Sequence, residues 1–321
     1  MPVVINSNVA ATSSSFNLSR ANESLRKSLE RLSTGKRINS AADDAGGLSV
    51  AYKLNSRINR TQAIIQNSQN ALSYLQVQDS SLATAGKIVD RMSELRTMSQ
   101  DITKNTGDIE NYTKEFVELQ SQLLQVSKEK FNGISLFAST NATAVDNILN
   151  AGTSSFNTNS YNVFSRTLYT SDNGDAEIGS VSVNVVNFQF MLSIGSLAVN
   201  GSGSSYNLGN IASANGTTDG VNSDGFINDI RNVSVSQFID IIGKIADMRA
   251  ENGAEQNRVM QRIDLLQTNI TNLESAHGKI MDADIAMEST RFARYNILVQ
   301  ASASMTAQAN QLSNVALSLI G

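Results

Sequence analysis

The chain has 321 residues, 40% of them hydrophobic, with 25 Lys and Arg against 29 Asp and Glu for a formal net charge of -4. That length accommodates two or three domains, and an acidic balance without a polybasic arm removes the electrostatic case for nucleic acid. Cysteine is absent, which excludes a disulfide framework, a zinc-thiolate site and a thiol nucleophile, and no apolar run approaches the roughly 20 residues that would insert in a bilayer.

The amino terminus, Met1 to Ser7, lacks a basic region followed by a long apolar core, so secretion, if it occurs, is expected to use no cleaved signal peptide. Pro2 is the single proline, which leaves the remainder free to form very long helices. Leu18, Leu25, Leu29 and Leu32 lie seven, four and three apart, on one narrow helical stripe. Thr34-Gly35 and the small-residue run Ala41 to Gly47 interrupt it. A second helix is expected from Leu48 to Ile102, about 80 Å long at ~1.5 Å per residue, with Ile58, Ile65, Leu72, Leu75, Leu82 and Val89 on heptad positions and a break at Gly107. Ile109, Tyr112, Phe116, Leu119, Leu123 and Val126 step three, four, three, four, three, which predicts a third helix returning antiparallel to the second. Phe131-Asn132-Gly133 then turns the chain, since Asn and Gly both tolerate positive φ.

The middle differs in kind. Val181, Val183 and Val185 alternate with polar residues, and Phe188, Phe190 and Leu192 continue the alternation, so two half-buried strand runs with a bulge between them are expected. Gly-Ser and Asn-Gly turns surround them, at Asn200 to Ser205 and Ala214 to Thr218. Residues 138–235 read as a small β-rich insert with too little apolar content for a large core of its own. Beyond it, Val259, Ile263, Leu266, Ile270, Leu273, His277 and Ile280 alternate steps of four and three. Leu298, Met305, Leu312 and Leu319 then recur every seven, with Ala301 and Val315 between. The fold class is therefore mainly α: a long coiled-coil hairpin of amino- and carboxyl-terminal segments with a small β-rich central insert.

Two apolar residues per seven make a seam but not the wider face of a globular-domain helix, and an unpacked helix of this kind is marginal in water. Residues 1–45 and 282–321 are accordingly expected to be poorly ordered in a monomer and to become helical on assembly. The seam assigned to assembly comprises Leu18, Leu25, Leu29, Leu32, Leu298, Met305, Leu312 and Leu319.

Longer stretches carry a family resemblance. Glu30-Arg31-Leu32-Ser33-Thr34-Gly35-Lys36-Arg37-Ile38-Asn39-Ser40-Ala41-Ala42-Asp43-Asp44-Ala45-Gly46-Gly47 resembles the ERLSSG-x-RINSAxDDAAG signature of bacterial flagellins, and Phe131-Asn132-Gly133-Ile134 their FNG turn. Gly253-Ala254-Glu255-Gln256-Asn257-Arg258 is similar to their GAxQNR stretch, Ile280 to Ala286 to their IxDADxA, and Gln308-Ala309-Asn310-Gln311 to their QAN segment. The last stretch departs from the family pattern: Gln311 to Leu319 stands in place of QVPQNVLSLL, without its proline.

The resemblance implies a subunit that self-assembles into the helical flagellar filament for swimming motility, located outside the cell and exported unfolded by a type III apparatus. Residues 1–45 plus 282–321 would form the filament core, 46–137 plus 236–281 an α-helical spoke, and 138–235 a solvent-facing insert. Implied partners are other copies of the chain, an export chaperone, a filament cap and hook-junction proteins, with no nucleic acid, membrane insertion or cofactor. Arg91, Glu94 and Leu95 sit where flagellins sensed by a Toll-like receptor carry Arg followed by Glu-Leu, although Arg91 and Glu94, three apart, also suit a weak solvated pair. Ser202, Ser204, Ser205, Thr217 and Thr218 are O-glycosylation candidates by location in the insert, and Asn200, Asn215 and Asn232 head sequons. The alternative reading is a hook-filament junction protein or a secreted coiled-coil adhesin.

No catalytic constellation is legible, so an enzyme is not expected. His277, the single histidine, occupies a heptad core position, where packing is the ordinary role. Asp282, Asp284 and Glu288 point to different sides of a helix and read as solvated charges. Gly35-Lys36 lacks the upstream glycine of a phosphate-binding loop.

Overall fold

A glycine in the left-handed region ends the first helix. In the computed structural model, which describes residues 8–138, 164–171, 179–195, 206–207, 227 and 229–318, α1 spans Val9–Thr34 and stops at Gly35, whose φ of 69° lets its N–H reach back to the Arg31 carbonyl. The turns at 200–205 and 214–218, Leu319 and the five glycosylation candidates lie outside the described residues.

The chain divides into two compact units: residues 1–60 with 268–321, and residues 61–267. The long helices α2 (Ala45–Met98) and α5 (Val235–Met281) each contribute residues to both. Helix α6 covers Ile285–Ser318. In the first unit α1 and α6 pack against each other antiparallel: Asn8 hydrogen-bonds Ala309 and Ser28 meets Glu288.

The second unit holds the larger core. Helix α3 (Thr106–Ser127) begins with a capping box in which Asn105 accepts from Asp108 N and Asp108 answers the Asn105 N–H. The expected break at Gly107 is therefore corrected: Gly107 is in the first turn of α3, and the helix-free corner is 99–105. The side-chain cap, not the glycine, sets the boundary. The stepping residues of α3 face inward, with Phe116 and Leu123 fully buried, against Leu75, Leu82, Val89 and Met92 of α2 and Phe238 and Ile241 of α5. Phe116 and Phe238 meet edge to face at 6.3 Å between ring centres.

After α3, β1 (Lys130–Phe131) and β2 (Ile134–Ser135) form a hairpin joined by Asn132 and Gly133 at φ 50° and 79°, the double positive φ of a two-residue I′ turn. Strand β3 (Phe137–Ala138) runs parallel to β5 (Ser180–Asn187), which pairs antiparallel with β4 (Phe164–Tyr169). Val181, Val183 and Val185 point into the core, as alternation predicts. The second run is different: Phe188–Met191 is one helical turn, α4, and only 193–195 (β6) returns to strand, paired with β7 (Tyr206–Asn207). Helical spacing buries Phe188, Met191 and Leu192 together, so the apolar residues of this run serve the core through a turn and not by alternation.

Polar groups tie the small strands to the helices. Gln78 Nε2 donates to the Leu136 carbonyl at 2.8 Å, and the Gln120 amide pairs with both backbone groups of Ile227. Buried backbone groups outside regular ladders need such partners.

Candidate self-assembly surface

Two sequence signatures almost 250 positions apart meet at one corner of the first unit. Asp43 Oδ2 accepts from Asn39 N, Ser40 N and Ser40 Oγ, bonds that hold its carboxyl below the usual carboxylate range. Asp44 Oδ1 accepts Gly47 N at 2.8 Å, capping the start of α2. Across from them Asp284 Oδ1 accepts from Ala286 N and Met287 N and opens α6 in the same way. The corners are stitched together through the backbone: Ala283 N donates to Gly35 O at 2.9 Å and Arg37 N to Met281 O at 2.6 Å, so that Lys36 and Asp282 stand opposite each other in an isolated antiparallel β-bridge. Ile38, Ala51 and Met281 are buried beneath, with Leu48 and Ile280 packed on them. Glycine is required at position 47, because a Cβ there would stand 2.5 Å from Asp44 Oδ2 and 2.9 Å from Ile38 Cδ1.

The corner aligns α1 with α6. The residues of α1 that are at least half-buried are Ala11, Ser14, Leu18, Ala21, Ser24, Leu25, Ser28, Arg31 and Leu32, a stripe stepping by three and four with Ser24 and Arg31 at its margin. Those of α6 are Glu288, Phe292, Tyr295, Val299, Ser302, Thr306 and Ala309, again alternating four and three. The observed register brings Leu25 level with Phe292, Ala21 with Tyr295 and Leu18 with Val299. Several seam positions are Ser, Thr or Ala, which allows a close approach but supplies modest apolar burial.

Bulkier apolar residues sit outside this seam. Phe16 and Ile297 are each 66% exposed, Met305 63% and Leu29 52%, and Val9, Leu298, Ile285 and Met287 are exposed as well. Of the sequence-assigned seam, Leu18, Leu25 and Leu32 are half-buried against α6, whereas Leu29, Leu298 and Met305 face away from it. Leu312 lies in α6 with no side-chain placement described. The leucine stripe of the carboxyl terminus and the stripe that pairs with α1 are thus two different faces of α6. The pairing stripe was readable from its four-three spacing, but Glu288, Ser302 and Thr306 made it less apolar than the leucine stripe. Large exposed apolar residues spread over the outer sides of a helix pair are surface for further packing.

The other singled-out residues fall as follows. Arg91 donates from Nε to Glu115 at 2.8 Å and from Nη1 to Glu94 at 3.0 Å, and all three are partly exposed. The hydrogen bonds to Glu115 and Glu94 raise the Arg91 pKa. Leu95 is fully buried in the core, which corrects its inclusion in an exposed receptor surface. The solvated pair expected for Arg91 and Glu94 is a three-membered group, because α3 brings Glu115 alongside. His277 is half-buried on α5, in line with its heptad position. Glu288 is buried, not solvated, which corrects that reading, while Asp282 and Asp284 are exposed. Asn232 lies in a short turn of 3-10 helix, Ile230–Asn232.

In the second unit, the Glu255-Arg258 stretch docks the central strand. Both Glu255 carboxylate oxygens accept from Asn184 N at 3.0 and 3.1 Å, and Arg258 Nη2 donates to Ser182 O. Burial pushes the Glu255 carboxyl up to about 6, opposed by the Asn184 N–H and Arg258 and reinforced by Glu251.

Comparison with known proteins places these elements in context. The family model of the bacterial flagellin N-terminal helical region matches residues 5–142, and that of the C-terminal helical region matches residues 238–320. A flagellin of Bacillus subtilis is 29% identical over 320 residues, covering 96% of each chain. The flagellar filament 33 kDa core protein of Treponema phagedenis is 28% identical, covering 99% of this chain and 100% of its own. A solved structure of a putative flagellar hook-associated protein from Vibrio parahaemolyticus shares the fold with a TM-score of 0.53, at 14% identity, over 75% of this chain and 100% of that one.

Proposed function

We propose how this chain, which belongs to the bacterial flagellin family and is a structural subunit of the flagellar filament, builds that polymer: copies pack through the outer apolar face of the α1-α6 pair. The observation that carries this reading is the exposure of Phe16, Leu29, Ile297, Leu298 and Met305 on helices whose mutual seam is already formed. Burying these side chains between copies is worth about 1.5–3 kcal/mol each when complete, a favourable contribution that adds to whatever the seam itself gains on ordering. Leu312 and Leu319 extend the same heptad stripe toward the carboxyl terminus.

In this reading residues 1–45 and 282–321 form the filament core, 46–137 and 236–281 the spoke, and 138–235 the solvent-facing insert. The terminal segments order on assembly, which suits export of an unfolded chain through a type III channel to the outside of the cell. A chaperone masking the apolar face before export, and a cap and junction proteins at the filament ends, are the further partners. Arg91 and Glu94 remain the surface for a Toll-like receptor, with Glu115 added to it.

Negative-stain electron microscopy of the purified chain, before and after a precipitant or seeds are added, tests the assembly mode. Micrometre-long tubes of uniform width are expected. Monomers or short caps from protein with intact termini would instead favour a junction protein or adhesin.

A further inference from the structure

A single carboxylate is buried in the seam between α1 and α6. Glu288 is 4% exposed and Ser28, facing it, 1%. Ser28 Oγ donates to Glu288 Oε1 at 2.6 Å, and Arg291 Nη1, one turn further along α6, lies 3.2 Å from Oε2. The other inward residues of the two helices, Ala11 to Leu25 and Phe292 to Ala309, are uncharged, and apart from the Tyr295 phenol they are apolar or small. A buried carboxyl group in an otherwise interchangeable seam adds little to stability, since well-packed apolar residues usually do as well or better, but it penalises every arrangement that takes Ser28 away from it.

We propose that Ser28 and Glu288 are the specificity-determining residues of the terminal helix pair: they admit the native antiparallel register and reject slipped or interchain pairings. A slip of one heptad, about 10 Å at ~1.5 Å per residue, places Ser28 level with Met281 or Tyr295 and Glu288 level with Ala21 or Gly35. Neither Ala21 nor Gly35 has a side chain that can donate a hydrogen bond to the Glu288 carboxyl as the serine does. Ala, Ser, Leu and Val elsewhere in the seam tolerate such a slip, so discrimination concentrates at this pair. The consequence for a polymer is that each chain presents its outer apolar face at a fixed height. The inference concerns pairing within the chain and stands independently of how filaments form.

The absence of native cysteine allows an unambiguous crosslinking test on the full-length chain in solution, with an osmolyte that favours burial. Ser14→Cys with Ser302→Cys reports the native register, and Ala21→Cys with Ser302→Cys reports a one-heptad slip. On the native background, oxidation should close the first at least tenfold faster than the second, with little disulfide-linked dimer. On a Ser28→Ala/Glu288→Leu background the two rates should fall within about threefold and dimer should rise, while far-UV circular dichroism stays the same. Glu288→Gln, whose amide oxygen still accepts from Ser28, should keep the native discrimination. Full discrimination in the double variant, loss of its helicity, or loss of discrimination in Glu288→Gln would each overturn the proposal.

Discussion

Burial and hydrogen bonding work against each other at Glu255. Its carboxyl, brought up to about 6 from 4.5 mainly by desolvation, binds protons more tightly folded than unfolded. The stabilisation this gives is fully present below the unfolded value and is lost as pH rises through about 6, amounting to about 2 kcal/mol over that window. Glu255→Gln, which keeps an acceptor for Asn184 N, should flatten the pH dependence of unfolding between pH 4.5 and 6.5, measured by denaturant titration; an unchanged slope would assign it to another group. At position 47 the lack of a Cβ is what matters. Gly47→Ala should cost about 1 kcal/mol or more by displacing the Asp44 cap and crowding Ile38, seen as a lower urea midpoint for the first unit. The Asn132-Gly133 turn was legible from the dipeptide alone, because positive φ is a local property. The partners of Glu255, Ser28 and Glu288 were not, because each lies tens to hundreds of residues away in sequence.

At the scale of elements, α6 carries two stripes that do different work. Leu25 faces α6 and Met305 faces away, so substitutions at the two sites should separate pairing from polymerisation. Met305→Asp should leave circular dichroism unchanged and raise the concentration needed for polymer by tenfold or more, read by sedimentation. Leu25→Asp would place a charge in the seam at a cost of several kcal/mol and should abolish helicity of the pair and polymer together. Equal polymerisation by the native chain and Met305→Asp would remove the outer face from the assembly surface. The existence of α2, α3 and the part of α5 from Val259 onward followed from heptad periodicity, whose physical basis is burial of one stripe on a neighbour. Periodicity misplaced the start of α3 because a side-chain cap outweighs a nearby glycine, and it read Phe188 to Leu192 as strand because five residues with four apolar positions fit either period.

For the whole molecule, the two units differ in what holds them. The second has a core of aromatic and aliphatic side chains drawn from α2, α3, α5 and the small sheet; in the first, α1 and α6 meet along a seam rich in Ser, Thr and Ala. Hydrogen exchange should therefore show amides of α1 and α6 exchanging at least a hundredfold faster in the monomer than in the polymer, with those of residues 72–92 and 238–259 protected in both. Strong protection of the termini in a verified monomer would reject ordering on assembly. Sequence by itself determined the helical class, the turn signals and the family, since these rest on local spacing and on contiguous motifs. Tertiary structure decided which stripe of α6 faces α1 and that two distant signatures share one hydrogen-bonded corner. It also buried Leu95 and Glu288. Those outcomes depend on which surfaces the folded chain brings together, and an amphipathic pattern records that a face is to be covered without recording what covers it.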